Sequence, residues 1–162
     1  MLICLDTNVL IWGLKKQASP AQPEMIPRAR AYLEWIETNG RRAAIPAPSL
    51  AEALIKIGIG SREGLLREIT KRIQICPFDS KAAFIYGGIH DELVSKFKGK
   101  SDRRSLKTDL MILAVAISNH ASKLVTHDNA LIGERIRGVE IMQIPQVPSQ
   151  PLLSEISPEN RP

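Results

Sequence analysis

Apolar positions along this chain fall into short continuous runs separated by longer stretches with helical spacing. Residues 1–5, "MLICL", are apolar throughout and read as a buried strand. Val9 to about Lys15 gives a short helix, and "QASPAQPEMIP", with Pro20, Pro23 and Pro27, a loop. In "RARAYLEWIETNG" Ala29, Tyr32, Leu33 and Ile36 keep the spacing of one helix face, and Asn39 with Gly40 supplies a stop. "AAIPAP" is a second strand. "SLAEALIKIG" predicts a helix opening at Ser49, "SREGLLREITKR" another opening at Ser61, and "IQICPF" a third strand ended by Pro77. A long amphipathic helix runs from Asp79 to about Phe97. The polar stretch "KGKSDRRSLKTD" follows and leads into "LMILAVAI", which is apolar on every face and reads as a buried helix begun by Asp109. "KLVT" is a fourth strand, "NALIGERI" a short helix and "VEIMQI" a fifth strand.

Strands alternating with helices predict an α/β fold. Parallel strands need crossover connections, and these cover both faces of the sheet. At 162 residues the chain suits one domain. The stretch Pro145–Pro162 holds five prolines and no helical or strand period, so an extended or disordered tail is expected there. No internal repeat is visible.

Composition narrows the function classes. An apolar fraction of 44% with 24% charged residues excludes a disordered chain. Lys and Arg number 22 against 17 Asp and Glu, a net charge of +5 that favours a polyanionic partner such as nucleic acid. Cys4 and Cys76 lie in or beside apolar runs without zinc-ligand spacing, so neither zinc nor a disulfide framework is expected, and a reducing cytoplasm is the simplest setting. The start, "MLICLD", has no basic leader, and the apolar uncharged run Leu110–Ser122 is too short to span a membrane.

One feature of the first strand does not fit a core: "ICLDTNVLIW" carries Asp6 inside an apolar run. In an open α/β sheet ligands bind beyond the carboxyl ends of the strands. Four acids belong there: Asp6 after the first strand, Glu52 in the helix after the second, Asp109 at the buried helix, and Asp128 after the fourth strand. Each has an ordinary explanation. Asp6 can end a turn, with Thr7 and Asn8 capping the next helix; "SLAE" is a capping box for Ser49 and Glu52; Asp109 suits a helix dipole; Asp128 can cap "NALIGERI". Their conjunction on one rim is harder to explain that way, because converging carboxylates repel unless a cation sits among them. Oxygen ligands without Cys or His indicate a hard ion, Mg²⁺ or Mn²⁺, which serves phosphoester cleavage. Lys96, Lys98, Lys100, Arg103, Arg104 and Lys107 cluster just before Asp109, either to hold a nucleic-acid backbone or simply as a solvated loop. His90, His120 and His127 match no metal spacing; of the three, only His127 lies beside a candidate acid. Trp12 and Trp35 have helical spacing that favours partial burial over stacking on bases.

"LDTNVLI", "PSLAEALIK", "TDLMILAVAI" and "LVTHDNAL" together resemble the four acidic motifs of PIN-domain ribonucleases, above all the VapC-like toxins of toxin–antitoxin pairs, over roughly residues 1–144. The resemblance implies a PIN-like nuclease domain over 1–144, built as a three-layer α/β/α sandwich on a central parallel sheet of about five strands. It implies Asp6, Glu52, Asp109 and Asp128 as metal-binding catalytic acids, with Asn8 and Thr126 supporting them. It also implies Mg²⁺ or Mn²⁺ dependence, RNA cleavage, a homodimer and a small antitoxin as partner. After "THD" many relatives carry a phenylalanine where this chain has "NALIG", and the Pro-rich tail 145–162 lies outside the pattern. Two other readings compete. An aspartate-nucleophile phosphatase would need a second acid two residues after Asp6, where Asn8 stands. A noncatalytic RNA-binding module would have no need of four acids.

Overall fold

Alternation along the first strand decides the layering. β1 (Leu2–Leu5) turns Leu2 and Cys4 to one side and Ile3 and Leu5 to the other, and all four are buried. Successive strand residues point to opposite faces, so a strand buried on both needs helices above and below. The computed structural model of the chain describes residues 1–15, 20, 22–96, 103–127 and 131–146. In chain order they form β1, α1 (Thr7–Lys15), α2 (Met25–Thr38), β2 (Arg42–Pro46), α3 (Ala47–Ile55), a 3₁₀ turn (Ile59–Ser61) and α4 (Arg62–Arg72). β3 (Gln74–Cys76), α5 (Ser80–Lys96), α6 (Arg103–Ser118), β4 (Lys123–Val125), β5 (Arg135–Ile136) and β6 (Val139–Met142) complete them.

Among the described residues the sheet has six strands in the order β3-β2-β1-β4-β6-β5. The five expected strands pair in parallel, and the two-residue β5 adds an antiparallel edge. Leu2, Cys4, Ala44, Leu124 and Ile141 meet α5 and α6 through Ala82, Ile89, Leu110 and Leu113. On the opposite face Ile3, Leu5, Ile45 and Val125 meet α1 to α4 through Leu10, Tyr32, Ile36, Leu50 and Ile69. This is a three-layer α/β/α arrangement. No helix among the described residues is long and apolar enough to cross a membrane.

Several element boundaries differ from the sequence expectation, each for a local reason. α1 begins at Thr7 rather than Val9, so Asp6 itself precedes the helix. α2 begins at Met25 and takes Pro27 into its first turn, where a missing N–H costs nothing. α3 begins at Ala47 with Pro48 beside it, so Ser49 lies inside the helix and does not cap it. α6 begins at Arg103: Leu106 and Leu110, four apart and both buried, extend its apolar face back into the polar stretch. Asp109 therefore stands in the second turn rather than at the start.

"NALIGERI" is not a helix where it is described. Residues 131–133 form a turn, Gly133 takes a φ of 87°, and Arg135–Ile136 pairs with β6 through Arg137 and Gly138 at φ 47° and 90°. Positive φ at both central residues is the hairpin geometry that matches strand twist, and it ends any helical course. The strained Arg137 is tied down by a guanidinium bond to Gly88 O at 3.1 Å. Ile144 is still buried against the sheet, whereas the tail from residue 147 on lies outside the described residues.

Both cysteines are free and fully buried. Burial, with Cys76 as a lesser influence, pushes the Cys4 thiol from 9.0 up to about 12; burial also raises Cys76. The folded state thus keeps a proton that the unfolded chain releases. The stability contributed by this difference is complete below pH 9 and is lost as pH rises from 9 towards 12. Thiol labelling at pH 8 should proceed no faster than global unfolding, which urea-dependent labelling rates check; rapid labelling of the native protein would contradict the packing.

Candidate active site

The sheet order reverses between β1 and β4, where chain connections leave in opposite directions. That is the switch point at which open α/β sheets leave a crevice beyond their strand ends. Asp6 follows β1 and Thr126 follows β4. The two are held in register by Asp6 N donating to Val125 O and Thr126 N donating to Met142 O, both at 3.0 Å.

Asp6 is 7% exposed. A carboxylate so placed must be compensated by hydrogen-bond donors. Its Oδ1 accepts from Thr7 N at 2.6 Å and from the Ser49 hydroxyl at 3.2 Å, and its Oδ2 accepts from the Thr126 hydroxyl at 2.7 Å. Thr7 in turn donates its hydroxyl to Glu52 Oε2 at 2.7 Å, with Ser49 O as a second acceptor at 3.2 Å. Ser49 and Thr7 are themselves buried. The capping box expected of "SLAE" is not made: Pro46, which has no side-chain hydrogen-bonding group, occupies the cap position of α3, and Ser49 and Glu52 are both directed to the end of β1.

Asp109 reaches the same place from α6. It lines a cleft with Asp6, Ile112, Leu124, Thr126 and Leu131. Its position in the second turn removes the helix-dipole explanation, since that effect fades beyond the first turn. Asp6 and Asp109 thus share one cleft, and Glu52 joins Asp6 through Thr7 and Ser49. Among the described residues no three His, Cys, Asp or Glu stand close enough to hold a metal as a ready-made set. Asp128 lies outside the described residues.

Asn8 is half-buried in the first turn of α1. Of the basic residues, Lys98 and Lys100 lie outside the described residues. Arg103, Arg104 and Lys107 belong to α6 and not to a loop, with Lys107 exposed. Lys96, at the end of α5, pairs with Glu134 at 2.7 Å. His127 Nε2 accepts from the Gln22 side-chain amide nitrogen at 3.0 Å, and its ring meets the buried Trp12 edge-on at 5.0 Å. This joins the exit of β4 to α1 and to the segment before α2. His90 pairs locally with Asp91, and Trp35 stacks on Tyr32 at 5.7 Å.

Sequence reasoning missed Thr7 and Ser49 as partners of the acids. The signal was present as "DT" and "SLAE", but helix capping accounted for both. The donor set of the cleft is carboxylate and hydroxyl oxygen, which fits a small hard cation. Such an ion keeps several waters and needs one or two protein carboxylates, so a pair such as Asp6 and Asp109 suffices as a nucleus.

The PIN domain family model matches residues 3–133, and the chain belongs to that family, whose members are generally nucleases. The fold is similar to a chain in VapBC2 from Rickettsia felis bound to a DNA fragment of its promoter (24% identity, TM-score 0.64). It is also similar to one in DNA-bound VapBC from Salmonella typhimurium (25% identity, TM-score 0.60). In both, the match covers 88% of this chain and 98% of the other. A chain of VapBC-5 from Mycobacterium tuberculosis matches over the same shares at 23% identity and a TM-score of 0.52. No curated protein sequence matches significantly.

Thr126→Val removes a neutral donor from the buried side chain of Asp6. It should destabilise the protein by about 1.5–3 kcal/mol, while Thr126→Ser, which keeps the donor, should cost less than about 1 kcal/mol. Urea unfolding of the two variants without added metal checks this, and equal stabilities would contradict the bond.

Proposed function

We propose that the chain is a metal-dependent endoribonuclease, the VapC-like toxin of a toxin–antitoxin pair. The observation that carries this reading is the meeting of Asp6 and Asp109 in one cleft at the switch point of a PIN-family sheet. Asp6 and Asp109, with Asp128 on the segment after β4 and Glu52 from α3, would hold Mg²⁺ or Mn²⁺. When bound, such an ion neutralises phosphate charge and activates water for attack on a phosphodiester. The chain's own residues prepare the site. Thr126 and Ser49 fix the rotamer of Asp6, Thr7 fixes Glu52, and Ile112, Leu124 and Leu131 line the cleft with apolar surface that strengthens electrostatic attraction within it.

Asp6 already accepts two bonds on Oδ1 and one on Oδ2. A carboxylate offers about four lone-pair positions, so Asp6 has one left and serves as a single-oxygen ligand. That suits six-coordinate Mg²⁺ or Mn²⁺ better than Ca²⁺, which takes more ligands and often two from one carboxylate. Basic side chains of the 96–107 region supply the charge to attract RNA, in keeping with the net charge of +5. The likeness to chains of VapBC complexes supports a small antitoxin as partner, and the motif resemblance supports a homodimer.

A panel of tRNA, rRNA fragments and single-stranded RNA should be cut with Mg²⁺ or Mn²⁺, and not with EDTA or Ca²⁺ alone. Asp6→Asn and Asp109→Asn should each slow cleavage by at least about a hundredfold, since even residues that only orient metal ligands are worth about ten- to a hundredfold. Parent-like rates in both variants would sink the nuclease reading. RNA binding by the parent without cleavage under any of these conditions would point to a noncatalytic module.

A further inference from the structure

Two short segments grip each other across the rim. One is Asp6-Thr7, where β1 passes into α1; the other is Ser49 to Glu52, the first turns of α3. Each supplies an acid and a hydroxyl, and each hydroxyl serves the other segment's acid: Ser49 Oγ donates to Asp6 Oδ1 at 3.2 Å, and Thr7 Oγ1 donates to Glu52 Oε2 at 2.7 Å. Helix capping does not require this arrangement, since α3 carries no side-chain cap and Pro46 occupies its cap position. Ser49 is 0% exposed, and its hydroxyl is held at the rim on a helix that does not need it.

We infer that Thr7 and Ser49 are positioning residues for the cation, acting as a reciprocal clasp that sets Asp6 and Glu52 in one fixed relation before the ion arrives. This rests on the proposed metal-dependent reading and adds two residues to it. Two neutral donors directed at two acids restrain both side chains at a buried rim. They also fix which oxygens are engaged: Oδ1 of Asp6 and Oε2 of Glu52 face the clasp, leaving Oδ2 and Oε1 as the less encumbered oxygens. Thr7 has a second acceptor, Ser49 O at 3.2 Å, so its proton keeps a partner if Glu52 turns away. The clasp can therefore release Glu52 without stranding a buried hydroxyl, and this distinguishes it from a rigid structural bond.

The test is Mn²⁺ binding to the full-length protein, read by electron paramagnetic resonance of free Mn²⁺ and by calorimetry, with melting temperature measured in EDTA. Thr7→Val and Ser49→Ala should each weaken Mn²⁺ binding about tenfold or more, in the range for residues that orient ligands. Thr7→Ser should restore parent affinity to within about threefold, because it keeps the donor. If Thr7 acts through Glu52, Thr7→Val should add little to the loss caused by Glu52→Gln, a coupling that a purely structural role would not produce. Lower melting temperatures with unchanged Mn²⁺ affinity would overturn the clasp as a positioning device while leaving the metal reading intact, provided Asp6→Asn abolishes binding in parallel. Parent protein that binds no Mn²⁺, or Asp6→Asn that binds like the parent, would overturn both.

Discussion

A charged group at the end of a strand buried on both faces is the constraint around which the rest is arranged. Asp6 cannot retreat into solvent, because β1 runs between β2 and β4 at the centre of the sheet. Its carboxylate must be met by donors, and these come from three separate places: Thr7 in α1, Ser49 in α3 and Thr126 just after β4. The parallel sheet delivers them. Parallel pairing aligns the carboxyl ends of β1, β2 and β4 on one side, so whatever follows each strand arrives at the same rim. Three donors meet one acid, and Asp109 brings a second to the same cleft. Two acids and a threonine hydroxyl in a half-apolar cleft are the donor set a small divalent cation would answer.

The layers of the fold were legible because periodicity reports burial. Strands with no polar face, such as "LICL", and a helix apolar all round, such as "LMILAVAI", occur together where helices cover both sides of a parallel sheet. Boundaries were less legible, since they depend on tertiary contacts. Leu106 looks like part of a charged linker until it is seen packed beside Leu110 under the sheet. The failure at "NALIGERI" has a different cause: its apolar spacing admits a helix, but Gly133 and the Arg137–Gly138 turn take left-handed backbone and send the chain into a hairpin.

The site was legible in its acids and obscure in its hydroxyls. Asp6 declares itself as a charge within an apolar run, and Asp109 as the one acid attached to the most buried helix. Thr7 and Ser49 have nothing of that kind, because small hydroxyl residues before helices are common and capping explains them locally. The partners of Thr7 and Ser49 lie more than forty residues away along the chain, a distance over which spacing conveys nothing. Glu52, so well explained by a capping box, meets Thr7 instead because α3 starts at Ala47 and leaves Ser49 inside the helix.

The central claim is that Asp6 and Asp109 together form the nucleus of a cation site, and it can be read directly by growing crystals in Mn²⁺ and collecting data at a wavelength where manganese scatters anomalously. The account predicts an anomalous peak in the cleft at coordination distance, about 2.1–2.2 Å, from Asp6 Oδ2 and from a carboxylate oxygen of Asp109. A peak bound elsewhere on the chain, or a cleft without one at saturating Mn²⁺, would contradict it.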